Sequence, residues 1–382
     1  MAVEDDKQKA QELYGNLSQP QESRHIPESM DMEAHFSRLQ DGLKHHYEYR
    51  VTHRFSTGVN NKPRLLAAAI PCITGIGCLY QAIATARDQH THPPPGNLVA
   101  IDDCRLHMQT AGSGLPTVVL EAGLGGMSSA WGWIQPETAK FCKVVSYDRA
   151  GLGWSWPDTT PKTARVAAQR LHNLLHCIRI HPPYVLVGHS MGGLFIRVFA
   201  DLFPNEVAGM VLIDAVHPDQ HLRSNVIDKH MRSGFRFLRA VPLLTRLGYV
   251  RLAGLFNAWA RGLPPRQAAE AESFLSTYGH LKTTCEESLA WETICAEVRA
   301  TRRLGDIPLA VVTAGRDLLF GQAELQRELA TLSSDSVHFA IDGADHISLV
   351  THREHALLVV QAIRHVVDRV NALTGEKKRG QK

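Results

Sequence analysis

Six short apolar runs constrain this chain more than anything else in it: "TVVLEAG", "CKVVSYD", "YVLVGHS", "GMVLIDA", "LAVVTAG" and "SVHFAID". They are rich in β-branched residues and suit strands covered on both faces, as in a parallel sheet. Helical patterns such as "TARVAAQRLHNLLHCIR" and "EHALLVVQAIRHVVDRV" lie between or after them. Strand–helix alternation of this kind predicts an α/β fold with a mostly parallel sheet. Two earlier segments, "NLVAIDD" and "RLHMQTAG", are close enough to pair as an antiparallel hairpin at a sheet edge. The rhythm breaks between His217 and Asp306, where about ninety residues contain no convincing strand. The stretch "FRFLRAVPLLTRLGYVRLAGLFNAWARGL" inside that interval reads as helices. An insertion of this size between two strands is expected to form a helical cap, about residues 217–305, over the carboxyl edge of the sheet.

The first part of the chain has a different character. Residues 1–62 are polar and mixed in charge, with no sustained apolar period, and are expected to be flexible or loosely helical. Residues 63–87 contain "LLAAAIPCITGIGCLYQAIATA", Leu65 to Ala86, 22 residues without a charge. As a helix rising about 1.5 Å per residue, it would span about 33 Å, enough for a hydrocarbon layer of about 30 Å. The expectation is a membrane anchor, although Pro71, Gly75, Gly77 and Gln81 would equally suit a helix docked on the folded domain. Arg50, Arg54, Lys62 and Arg64 precede the segment, whereas Arg87 is offset by Asp88. The positive-inside rule then places the catalytic domain outside the cytoplasm. After the spacer "THPPPG" the folded domain is expected to cover residues 97–372.

Composition excludes several classes. The net charge of +3 over 382 residues, with no basic stripe carrying interleaved aromatics, gives no support to a nucleic-acid partner. The seven cysteines show no CxxC and no paired Cys/His ligand spacing, so neither a zinc site nor a disulfide framework is expected. Cys285 and Cys295 are the one pair worth checking for a bridge. No GxGxxG follows a strand with an acid about twenty residues on, and neither a Walker sequence nor H-E-x-x-H is present. No metal or organic cofactor is required.

The chemistry is concentrated at strand ends. "GHSMG" matches G-x-S-x-G, with "YVLV" before it and an amphipathic helix pattern after it, so Ser190 is placed on a strained strand-to-helix elbow. The helix start beneath supplies N–H groups and a positive dipole end suited to developing negative charge. A serine hydroxyl needs a base to take its proton. His346 in "DGADHISLV" follows the last strand, in a small-residue loop before the final helix. The imidazolium formed in catalysis needs a carboxylate. Asp317, directly after the strand in "VVTAGRD", is the favoured acid, and the order Ser190, Asp317, His346 is the expected one. Asp214 in "VLIDA" is its competitor. Asp345 is too close to His346 in sequence to reach its Nδ1, and His189 is read as structural. Asp148 and Arg149 are read as holding a loop through local hydrogen bonds. His217 is a weaker candidate for the pocket lining, and the four tryptophans at 131, 133, 154 and 156 suit core or rim packing as well as substrate stacking.

Taken together, "EAGLGG", "SYDRAGLGWS", "VGHSMGG", "AGRD" and "GADH", each at a strand end, resemble the α/β-hydrolase superfamily over roughly residues 97–370. The likeness is to its capped members with a hydrophobic N-terminal segment. The resemblance implies an eight-stranded, mostly parallel sheet with a helical cap insertion. It also implies an oxyanion hole formed by the N–H groups of Met191 and Leu124, although many relatives carry His-Gly where this chain has Ala122-Gly123. A serine at position 190 argues against the aspartate-using relatives, the epoxide hydrolases and haloalkane dehalogenases. The expected activity is hydrolysis of a small apolar carboxylic ester through an acyl-enzyme. Carbon–carbon, amide or lactone hydrolysis, cofactor-free perhydrolysis, and a slow-turnover ligand receptor share the same triad.

Overall fold

The computed structural model describes residues 62–316 and 322–380, without the side chains of 62–73 and 377–380. Of the segment 1–62 expected to be polar and flexible, residues 1–61 lie outside the described residues, and so does Asp317. The chain divides after Ile76 into two compact units. Of the first, only the opening turns of one helix are described; the account below concerns the second.

Eight strands form one sheet: β1 (Asn97–Ile101), β2 (Cys104–Ala111), β3 (Thr117–Glu121), β4 (Val144–Tyr147), β5 (Tyr184–His189), β6 (Val207–Ile213), β7 (Leu309–Ala314) and β8 (Ser336–Ile341). The spatial order is β1-β2-β4-β3-β5-β6-β7-β8. β1 pairs antiparallel with β2, and β2 with β4, while every later pairing is parallel. The expected edge hairpin and parallel sheet are therefore both present. The longer helices are α1 (Lys62–Thr91), α2 (Ala164–Cys177), α3 (Gly192–Leu202), α4 (Asn225–Arg246), α5 (Pro265–Phe274), α6 (Tyr278–Leu289), α7 (Trp291–Arg299), α8 (Gln322–Ala330) and α9 (Arg353–Gly380).

The continuous apolar runs follow from burial on both faces. Along β5, Leu186 joins one core with Leu171, Phe199 and Ile294 from α2, α3 and α7. Its neighbours Val185 and Val187 point the other way, into a second core with Val359, Ile363 and Val366 from α9. Every residue of β3, β4, β5 and β7 is buried. The parallel register sets Glu121 of β3 beside Gly188 of β5, and His189 beside Ile213 of β6. The carboxyl ends of β3, β5 and β6 thus lie side by side, the edge at which open α/β sheets bind ligands.

Between β6 and β7 the chain runs through helices α4 to α7, with no strand among them. Leu238, Val241, Val250, Phe256, Leu263 and Leu281 gather into a cluster of their own, so the insertion carries a private core. Leu124, from the loop after β3, packs against both that cluster and one face of the sheet.

The anchor expected of Leu65–Ala86, and the membrane localisation built on it, are corrected. No helix among the described residues is long and apolar enough to cross a membrane. The physical reason lies in how the carboxyl half of α1 is held from Gly77 onward. Gln81, 6% exposed, donates through Nε2 to the carbonyl of Ser276 at 2.8 Å. A Cβ at Gly77 would stand 2.3 Å from the carbonyl oxygen of Leu247, so the glycine allows close backbone approach. Asp88 pairs with Arg251 at 2.6 Å. The glycine and glutamine that read as blemishes in a membrane span are contacts with the insertion.

If the central strand is the core of this fold, Leu186→Ala, at a position with no exposure, should cost about 2–5 kcal/mol. Urea unfolding would read this as a lower midpoint with an unchanged slope.

Candidate active site

The site is built where β3, β5 and β6 end. Ser190 follows β5 directly with φ 54°, a left-handed conformation rare for a side-chain-bearing residue. The surrounding structure holds it there: its N–H donates to Ile213 O at 3.0 Å, and its carbonyl accepts from Gly193 N and Val216 N, each at 3.1 Å. The turn is tight enough that a Cβ on Gly192 would lie 2.3 Å from Glu121 O. Nothing larger than glycine fits there. Strain of this kind at a strand-to-helix turn is the structural context that gives G-x-S-x-G its meaning.

His346 lies in the loop between β8 and α9. Its Nδ1 bonds Asp214 Oδ2 at 2.6 Å, and the Asp214 side chain is 1% exposed. Asp214 directly follows β6, also with a positive φ, of 40°. Its second oxygen accepts from Ala314 N at 3.3 Å, and its own N–H donates to Val312 O at 2.6 Å. The carboxylate is therefore clamped between the ends of β6 and β7 and aimed at the imidazole. With Nδ1–H donating to Asp214, Nε2 is the nitrogen left to accept a proton. The pair brought together is His346 with Asp214; Asp317 lies outside the described residues. Asp345 turns away, accepting from Ile347 N and Ser348 N at 3.1 and 2.9 Å.

Leu124 and Met191 carry the two N–H groups expected to form the oxyanion hole. Among the described residues neither donates to any acceptor, whereas the surrounding loops are densely bonded. A Cβ on Gly123 would come 3.1 Å from Ser190 Cβ, so the loop bearing Leu124 lies directly against the elbow.

That loop is held by residues the sequence reading undervalued. Arg149, after β4, is 6% exposed. Its guanidinium donates to Ala122 O and Gly123 O at 2.7 Å each, to Glu121 Oε1 at 2.6 Å, and to both carboxylate oxygens of Glu287 at 2.7 and 2.9 Å. Tyr147 donates its hydroxyl to the other oxygen of Glu121. Glu287 belongs to α6 in the insertion and also accepts from Gly125 N at 3.1 Å. Burial opposes the charge on Arg149, but Glu287 and Glu121 more than offset it and raise its pKa. The Gly123 carbonyl is half of the peptide group whose N–H belongs to Leu124. In a planar trans peptide, fixing that carbonyl on Arg149 fixes the N–H in the opposite direction. Arg149 was read as a local loop holder, but it reaches from β4 to the insertion. Glu287, buried in the last turn of α6, sits between Glu286 and Ser288 and carried no sequence signal that set it apart from its neighbours.

Two histidines brace the same loops. His189 donates through Nε2 to His346 O at 3.0 Å, tying the backbone of His346 to the elbow. Burial, and then the neighbouring His346, lower its pKa to about 3. His280 of α6 donates to Gly125 O at 2.8 Å and accepts from Gly153 N at 3.0 Å, and burial lowers its pKa to about 4. Other candidates fall elsewhere. His217 lies near Glu328, at 3.5 Å. Trp131 is core, Trp133 bonds Gly262 O and Thr351 O, and Trp154 bonds His92 O. Cys285 and Cys295 are both free thiols, so no bridge joins them.

The family profile described as the alpha/beta hydrolase fold matches residues 116–353, more than half of the chain. The chain belongs to that family. It is 35% identical over 115 residues to YqjL of Bacillus subtilis, a match covering 30% of this chain and 46% of that protein. The chain spans about half the length of the curated relatives it matches. Among solved structures, a thermophilic esterase from Thermogutta terrifontis superposes with a TM-score of 0.56 at 21% identity, over 72% of this chain and 97% of the other. The epoxide hydrolase CorEH gives 0.59 at 19% identity, over 70% and 96%. At these identities the likeness is one of fold.

The two depressed histidine pKa values fix a pH dependence. In the unfolded chain both groups take up a proton near pH 6.5, whereas the folded state resists until about pH 4 for His280 and about pH 3 for His189. The unfolded state therefore binds more protons in that window, and stability must fall as pH falls from about 6.5 to 4. Each histidine contributes about 1.4 kcal/mol per pH unit to the slope. Urea unfolding at steps between pH 7.5 and 4.5 should show this loss, and His280→Gln should flatten it.

Proposed function

We propose that the chain is a serine hydrolase cleaving a carboxylic ester, with Ser190 as nucleophile, His346 as base and Asp214 as the acid that orients it. The observation carrying this reading is the 2.6 Å bond from His346 Nδ1 to a buried carboxylate, within the loops that also hold Ser190. It favours Asp214 over Asp317 for the role of acid. Ser190 Oγ attacks the acyl carbon as its proton passes to His346 Nε2. The oxygen that becomes negative lies against the Leu124 and Met191 N–H groups, which donate to no acceptor among the described residues. The proton on His346 then passes to the leaving alcohol, and the carbonyl reforms as a Ser190 ester. Water, deprotonated by the same imidazole, attacks that ester and releases the acid. A serine at 190 supports acyl transfer in preference to the carboxylate attack expected of an aspartate there. The private apolar core of the insertion, resting on Leu124, supports a cap over the site and an apolar acyl group in the substrate.

A fluorophosphonate probe should label the protein once, and Ser190→Ala should abolish the label while leaving the far-ultraviolet circular dichroism unchanged. Asp214→Asn should lower kcat by about four orders of magnitude, by analogy with another enzyme's triad, and Asp317→Asn far less. The reverse ranking would return the role to Asp317. Along p-nitrophenyl esters of increasing acyl length, kcat/KM should rise by up to about fourfold per methylene, the equivalent of about 0.8 kcal/mol. It should then fall where the pocket ends; a flat profile would remove the case for an apolar acyl site.

A further inference from the structure

The opposite edge of the sheet carries a cluster that the proposed chemistry does not use. We propose that His172, His176 and Glu206 form a binding site for one divalent transition-metal ion of the zinc class. His172 and His176 are four residues apart on α2, so both imidazoles project from one helix face. Glu206 closes the short turn Pro204–Glu206 that leads into β6. The potential ligand atoms of all three lie within 4.8 Å of one another. His172 Nε2 is 3.0 Å and His176 Nε2 3.7 Å from the same oxygen, Glu206 Oε1. A tetrahedral zinc ion with ligand bonds of about 2.0–2.2 Å holds its donors about 3.3 Å apart. The two histidine–glutamate spacings lie within a few tenths of an ångström of that value, and rotation of the exposed His176 side chain would bring its nitrogen closer to that of His172 around an ion.

A second observation points to a missing cation. Glu206 Oε2 is buried and has no hydrogen-bond partner. The ion-pair partners of this carboxylate among the described residues are the two histidines, which carry charge only when protonated. Among the described residues no lysine or arginine pairs with it, so none of them gives this partly buried carboxylate a permanent counterion. An ion held between the three groups would supply that charge with both imidazoles neutral.

The site is also organised in advance. The His172 ring stacks on Phe203 at 3.8 Å and 7°, which fixes its orientation, while His176 is 54% exposed and leaves the outer side open to water. Three protein ligands and one water would complete four-coordination. Two imidazoles and one carboxylate suit zinc, copper or nickel and not the oxygen-seeking magnesium or calcium. His172 Nδ1 has no hydrogen-bond partner. The outer support that commonly strengthens a metal-bound imidazole is therefore missing, and a micromolar affinity is expected instead of an irreversible one. Glu206 enters β6 and Asp214 leaves it. The ion would thus sit a full strand away from Ser190, fastening α2 to the start of β6 with no part in the chemistry.

The test uses the full-length protein, stripped with a chelator and titrated with zinc chloride by calorimetry. The expected result is a micromolar binding event of one ion per chain and a zinc-dependent rise in Tm. Magnesium should produce neither. Because 21 histidines offer weak adventitious binding, the deciding comparison is with His176→Ala and Glu206→Gln. Both are at sites exposed enough to fold, as circular dichroism would check, and each should weaken that event by about tenfold or more. An absent event in the unaltered protein, or one that survives undiminished in both variants, would overturn the proposal.

Discussion

The site's geometry depends on one buried cation. The guanidinium of Arg149 distributes its N–H donors over Glu121, Glu287 and the carbonyls of Ala122 and Gly123. A buried charge is tolerable only when paired and fully hydrogen-bonded. That requirement couples three parts of the chain that are far apart in sequence. Arg149 follows β4, the end of β3 and the loop running directly on from it give Glu121 and the two carbonyls, and the insertion gives Glu287. Remove any one and the others are left with unsatisfied buried groups. The loop is therefore placed by an electrostatic demand made beneath it, and the direction of its N–H groups follows from peptide planarity.

Backbone strain is the second constraint. Ser190 and Asp214 both occupy left-handed conformations immediately after adjacent parallel strands. Such conformations each cost of order 1–3 kcal/mol and persist only where neighbours over-determine them. Here the neighbours are one another: Ser190 N bonds Ile213 O, and Val216 N bonds Ser190 O, so each turn braces the next. His189 adds a link from this pair of turns to the carbonyl of His346.

The sheet was legible because burial on both faces leaves no room for polar residues, so β3 to β7 announce themselves as apolar runs. The elbow was legible because only glycine fits at Gly192, and Ser190 and His346 followed from motif and order. Which carboxylate meets His346 Nδ1 was not: both Asp214 and Asp317 follow strands, Asp214 is found at 2.6 Å from that nitrogen, and Asp317 lies outside the described residues. Leu65–Ala86 misled for a related reason. Hydropathy counts residues and not contacts, and Gln81 reads as a flaw in a span until Ser276 O is found opposite it. His172 and His176 showed helical spacing, but cysteine-centred ligand patterns passed over them, and Glu206 joins them only through the fold. Glu287 and His280 were invisible because long-range partners in an insertion leave no spacing to read.

The insertion's reach into the sheet bears on how exchangeable it is. It leaves the sheet after Asp214 and returns before His346, so Ser190, His346 and Asp214, the three residues of the proposed triad, all belong to the scaffold. On that ground a different lid could be grafted in its place to change what the site accepts. Yet Glu287 and His280 travel with the insertion, and Arg149, Gly125 and Gly153 stay behind. A foreign lid without an acid at the equivalent point would strand a positive charge under the loop bearing Leu124. Modularity in this chain thus extends to the rest of the insertion but stops short of α6, whose Glu287 and His280 hold the scaffold loops in place.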